Sequence, residues 1–144
     1  MINKSQFFSV FFLLFTFSGC TTQVLYVGDV YIDNVCMTPI TVTSYNDSGG
    51  YLNFVGSGEI LLKSGGKQAW LTFNMSSLLV GHGVSDFFID NGRDNLRVKF
   101  SDGRGEKTLN GRQVISLLKN ITTQEDRQLG KTVYEISDSS ICPN

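Results

Sequence analysis

The chemically most capable side chains of this chain fall in two short stretches and at three scattered sulfurs. "VGHGVSD" holds the sole histidine, His82, just before Ser85 and Asp86, the residue types that a base, nucleophile and orienting acid require. Such groups seldom reach mutual hydrogen-bond distance when they are neighbours in sequence, and recognised triads draw them from distant positions. The flanking glycines make His82 an exposed loop histidine, and no catalytic residue is assigned.

Asp86, Asp90 and Asp94, around "DNGRDN", offer the hard oxygens that calcium takes. The stretch lacks the Asp-x-Asn/Asp-x-Asn/Asp-Gly order and the distal Glu of a calcium loop, and Arg93 sits in its middle, so a hairpin turn is expected. Zinc finds no Cys-x-x-Cys or His-x-x-x-His spacing. "GKT" at Gly130 to Thr132 imitates a phosphate loop, but Glu125 stands where its first glycine belongs and a strand follows where a helix is needed. No cofactor, metal or small-molecule substrate is implied, and the expected class is non-enzymatic.

The sulfurs are more telling. Ahead of Cys20, the run "FFSVFFLLFTF" from Phe7 to Phe17 is free of charge and follows Lys4. As a helix it extends about 16 Å, short of the roughly 20 residues that span a hydrocarbon core, so it reads as the apolar region of an export signal. The residues that close it, "FSGC", resemble the lipobox of bacterial lipoproteins, in which small residues precede a cysteine that receives lipid and becomes the mature N-terminus. Ser18 and Gly19 match that pattern, Cys20 takes the lipidated place, and Phe17 stands where the family usually carries an aliphatic residue. The resemblance implies a signal peptide at 1–19, a short anchored spacer at 20–23 and one domain at 24–144. It also implies, from Thr21 in place of the Asp that favours inner-membrane retention, a lipid-anchored site on the periplasmic face of the outer membrane.

With Cys20 consumed by lipid, Cys36 and Cys142 remain near the two ends of the domain. In an oxidising compartment such a pair is expected to close into a disulfide; two buried free thiols are the alternative. Only "TTQ" separates Cys20 from the first alternating run, a spacer of at most about 10 Å, so the domain is expected close to its membrane.

Without residues 1–19 the chain carries 11 basic and 13 acidic side chains. That balance gives no support for nucleic-acid binding, which uses a strongly basic face. Length suffices for one domain with its own core.

The elements that must carry these residues read as short alternating strands between glycine-rich turns, an antiparallel β-sandwich of about seven to eight strands with one short helix. Val30 and Ile32 share a face against Asp29 and Asp33; Ile40 and Val42 follow. "YLNFV", "EILLK" and "KQAWLTFNM" come next, with Ala69, Leu71 and Phe73 on one face and Trp70 on the other. "DFFID" and "NLRVKF" flank the "NGRD" turn, Leu96, Val98 and Phe100 alternating with Arg97 and Lys99. "KTVYEIS" is the last strand. Asn110 and Gln113 form a capping box for a helix over "NGRQVISLLKN", and "ITTQEDRQLG" reads as a loop.

Two surfaces are candidates for a partner. Trp70 with Tyr26 and Tyr31 forms an exposed aromatic patch unless a sheet or the helix covers them. Arg93, Arg97, Lys99, Arg104, Lys107 and Arg112 form a basic edge unless opposite charges face them across neighbouring strands. The function expected is a non-catalytic binding or assembly subunit engaging an envelope protein. The alternatives are an immunity or inhibitor lipoprotein that neutralises a toxin, and a small periplasmic hydrolase using His82 or an aspartate pair.

Overall fold

A computed structural model describes residues 25–46, 52–76, 88–90, 93–94 and 96–143. The protein is mainly β and sandwich-like, with one hydrophobic core between two sheets. Its strands are β1 (Leu25–Asp33), β2 (Ile40–Asn46), β3 (Leu52–Phe54), β4 (Glu59–Leu62), β5 (Lys67–Ser76), β6 (Ile89–Asp90), β7 (Arg93–Asp94), β8 (Leu96–Ser101), β9 (Glu106–Asn110), β10 (Lys119–Asn120) and β11 (Lys131–Ile136). Among the described residues, the helices α1 (Gly111–Leu117) and α2 (Gln124–Gln128) lie late in the chain. The first sheet runs β10-β11-β1-β5-β3 and the second β4-β2-β8-β9, while β6 and β7 pair as a separate two-stranded ribbon, Ile89 with Asp94 and Asp90 with Arg93.

Strand alternation places the core. Val30 and Ile32 of β1, Leu71 and Phe73 of β5 and Ile136 of β11 face Ile40 and Val42 of β2, Ile60 and Leu62 of β4, Leu96, Val98 and Phe100 of β8 and Leu109 of β9, all buried in one cluster. Val114 of α1 joins it, and Ile115, Leu117 and Leu118 lie against its edge. The expected capping box is present in both directions: Asn110 Oδ1 accepts the Gln113 N–H and Gln113 Oε1 accepts the Asn110 N–H, each at 2.9 Å.

Three features depart from expectation. First, β1 and β11 pair in parallel, Val27 level with Lys131 and Ile32 level with Ile136, within a set of otherwise antiparallel pairings. Second, α2 forms where a loop was expected, because Thr123 and Asp126 make a second capping box. Third, β8 pairs with β2 and β9 and not with β6, whose partner is β7; Asn91 and Gly92 lie outside the described residues.

Glycine is required at two places by different physics. Gly28 lies under the Phe73 ring, where an added Cβ would come within 1.9 Å of ring carbon. Gly58, which turns the chain from the first sheet into the second, has φ +92°, and a Cβ there would meet the Ser44 carbonyl oxygen at 2.9 Å.

Candidate functional site

Cys36 and Cys142 are bonded, their Cα atoms 5.5 Å apart across a sequence separation of 106. Cys36 follows β1 and Cys142 ends the one-turn 3₁₀ helix Ser139–Ile141, whose Ile141 is fully buried. The bond therefore fastens the far end of β1 to the chain's last turn. Asn34 builds the loop around it. Its side chain is fully buried and donates from Nδ2 to the carbonyls of Thr38 at 3.0 Å, Leu62 at 3.2 Å and Lys63 at 3.0 Å, while Oδ1 accepts the Cys36 N–H at 3.0 Å. Ser64 donates to the Cys36 carbonyl at 2.7 Å. Cys20, His82, Ser85 and Asp86 lie outside the described residues.

Trp70 is not part of an exposed aromatic patch. It is 1 % exposed, it donates from Nε1 to Ser44 Oγ at 2.6 Å, and it lies between Phe54 and Phe88 with ring centroids 5.9 and 6.3 Å away. The cause is a β-bulge. Val30 pairs with Leu71 but Tyr31 pairs with Ala69, leaving Trp70 as the extra residue on β5. The bulge breaks the alternation, so Trp70 and Leu71 both turn inward. Of the other two members, Tyr31 lies on the outer face, and Tyr26 has a side chain outside the description.

Three members of the basic edge, Arg97, Lys99 and Arg104, are paired within the fold. Arg97 lies 3.2 Å from Asp94 and donates to the Leu96 carbonyl at 2.7 Å; Lys99 of β8 meets Glu106 of β9 at 3.2 Å; Arg104 reaches Asp102 at 3.5 Å. Cross-strand pairing of opposite charges therefore accounts for Lys99, as one of the two sequence readings expected. The Arg93 side chain lies outside the description, though its backbone pairs with Asp90. These exposed pairs contribute little stability, with about 0–1 kcal/mol typical of such pairs.

Asp94 is spoken for as well. Its carboxylate accepts the backbone N–H groups of Gly111 at 2.7 Å and Arg112 at 3.0 Å, the first two amides of α1, in addition to Arg97. It anchors the start of the helix; Asp86 and the Asp90 side chain lie outside the described residues. Among the described residues no group of three or more His, Cys, Asp or Glu side chains is placed to hold a metal ion.

The outer face of the first sheet carries a second set of paired charges. Asp29 of β1 accepts from Lys131 of β11 at 2.6 Å, and Glu135 is hydrogen-bonded to Lys67 across β1. Lys67 Nζ also sits 5.5 Å from the Tyr31 ring centroid. The Lys67 ammonium holds the Glu135 carboxyl below the usual glutamate range, and the Asp29 carboxylate raises the Lys131 ammonium above the usual lysine range. Asp102 is lowered by the N–H groups of Gly105 and Arg104. Asp126 is lowered by Thr123, and Asp138 by the N–H of Ser140. Asp102, Asp126 and Asp138 are turn or cap anions, a structural use of charge.

What the sequence reading missed are the apolar side chains left outside. Met37 is 96 % exposed in the loop beside the disulfide, with Val35 next to it. Leu61 is 68 % exposed on β4, an edge strand of the second sheet, and Tyr45 is exposed on β2. Leu129, at the end of α2, is 75 % exposed. The signal for Leu61 was present in "EILLK": once Ile60 and Leu62 face inward, the residue between them must face out. No protein-family model, no curated protein and no solved structure matches this chain.

Proposed function

We propose that the protein is an outer-membrane lipoprotein, anchored through Cys20 on the periplasmic face, whose single β domain serves as a non-catalytic binding or assembly subunit of an envelope complex. One observation supports this most: the Cys36–Cys142 bond accounts for two of the three cysteines and leaves Cys20, directly after "FFSVFFLLFTFSG", as the remaining cysteine. An intact structural disulfide fits export to an oxidising compartment. Among the described residues no helix is long and apolar enough to cross a membrane; membrane attachment in this reading is through the acyl chain on Cys20.

The binding role is supported by the contrast between spent charges and unspent apolar surface. Arg97, Lys99, Asp94 and Asp102 are engaged within the fold, whereas Leu61 and Tyr45 lie exposed on the second sheet, Leu61 on its β4 edge. A partner strand added to β4 would cover Leu61 while using the edge backbone. The test is affinity capture from solubilised envelopes with wild type, Cys20→Ser and Leu61→Asp. The reading expects one envelope protein to be captured by wild type in stoichiometric amount and lost with Leu61→Asp. Equal capture by wild type and Leu61→Asp contradicts a β4 interface, and a hydrolytic activity towards envelope glycan or peptide contradicts the non-catalytic class.

A further inference from the structure

The parallel pairing of β1 with β11 brings the anchored end of the chain and the α2–β11 corner together. Both strands start at the same end of the first sheet: Val27 is level with Lys131, and Leu129 lies two residues before Lys131. Five residue steps separate Cys20 from Leu25, where β1 begins, a reach of at most about 17 Å. An acyl chain on Cys20 would therefore hold this end, and not the disulfide end, against the headgroup layer.

The surface found there suits that position. Leu129 is 75 % exposed and Val27 40 % exposed. The charges beside them are engaged locally: Lys131 binds Asp29, and Asp126 accepts from the Thr123 N–H and Oγ1. Glu125 and Arg127, both exposed on α2, oppose one another in sign. With Asp29, Asp126 and Lys131 these charges sum to −1, so the corner offers apolar side chains with only a small net charge towards the leaflet.

We infer that this corner, with Leu129 at its tip and Val27 beside it, rests in the headgroup–acyl boundary of the leaflet that holds the Cys20 lipid. The inference depends on the lipid-anchor reading of Cys20. One leucine and one valine would not hold a free domain on a bilayer. A lipid already anchored a few residues away makes the contact intramolecular, where a weak interaction suffices. The consequence is an orientation: β1, nine residues long, runs away from the membrane for about 27 Å, carrying Val35, Met37 and the disulfide loop outward.

The test uses the full chain, processed and acylated, in phosphatidylethanolamine–phosphatidylglycerol vesicles. An environment-sensitive fluorophore is attached through Gln128→Cys, with Met37→Cys as the comparison site, and mass spectrometry establishes acylation of each sample. The expected result is several-fold weaker quenching by aqueous iodide, and stronger quenching by a nitroxide lipid, at position 128 than at 37. Leu129→Asp, added to Gln128→Cys, should restore iodide access without releasing the protein from vesicles. Equal iodide access at both positions in acylated protein overturns the orientation and leaves the anchor standing. A product without an acyl group overturns the anchor and the orientation together.

Discussion

Asn34 Oδ1 accepts the backbone N–H of Cys36 at 3.0 Å, so a fully buried side chain holds the cysteine that closes the domain. The other end of the same amide donates to three carbonyls, of Thr38 and of Leu62 and Lys63 at the end of β4. Asn34→Ala leaves those carbonyls and one N–H without their partner, an expected loss of about 2–3 kcal/mol. Asn34→Asp keeps the acceptor for Cys36 but turns a carboxylate towards the carbonyls, and should cost more than alanine. Urea unfolding with the disulfide intact measures both.

Removing the Cys36–Cys142 bond should be the most damaging change at that end. Its loop spans a separation of 106 residues, for which the chain-entropy model gives roughly 4–5 kcal/mol. Cys36→Ala with Cys142→Ala is expected to unfold at much lower urea than wild type, and reduced wild type should match it.

Gly28→Ala places a methyl group into the Phe73 ring. The ring must leave its place between Gly28 and Tyr134, whose ring centroid lies 6.3 Å away, at an expected cost of about 3 kcal/mol. Adding Phe73→Leu to Gly28→Ala should recover part of that loss. A double-mutant cycle checks it, with a coupling energy near zero as the contrary result.

The start of α1 depends on Asp94. Asp94→Ala removes acceptors from the Gly111 and Arg112 N–H groups and should cost about 1–2 kcal/mol. Gly111→Ala should be comparable in effect, because its methyl would lie 2.7 Å from Asp94 Oδ1 and 2.8 Å from the Phe88 carbonyl oxygen. Thermal melts followed by circular dichroism compare the two.

Stability should also depend on pH in a defined way. Asp102, Asp126, Glu135 and Asp138 all have lowered pKa values in the folded protein. Their contribution is complete above the ordinary carboxylate values of about 4 and is lost as pH falls through the lower folded values. Lys131 is raised, so its contribution is complete below about 10 and disappears as pH rises through the higher folded value. Urea midpoints should therefore form a plateau between these limits and decline on both sides. Glu135→Gln should flatten part of the acid limb.

Local periodicity made much of the fold legible, and long-range geometry hid the rest. Leu96, Val98 and Phe100 alternate without interruption and are buried as their spacing implies. Asn110 and Gln113 announce α1 by a capping pair that local chemistry alone completes. The direction of the β1–β11 pairing leaves no such mark, because alternation is the same in parallel and antiparallel strands. Trp70 was assigned to the wrong face because a single bulged residue shifts everything beyond it. For α2, Asp126 occupies a place where a capping box usually has Glu or Gln, and the five-residue helix exposes most of its surface, so no apolar stripe marked it. Pairing of Asp94 with the Gly111 amide joins segments that only the folded chain brings together.

The lipid on Cys20 is tested most directly by metabolic labelling with an alkyne fatty acid, followed by fractionation of wild type and Cys20→Ser. Probe on wild-type protein in the outer-membrane fraction, with an unlabelled Cys20→Ser product, is the predicted result. Wild-type protein that carries no probe and washes out in a soluble periplasmic extract contradicts the account.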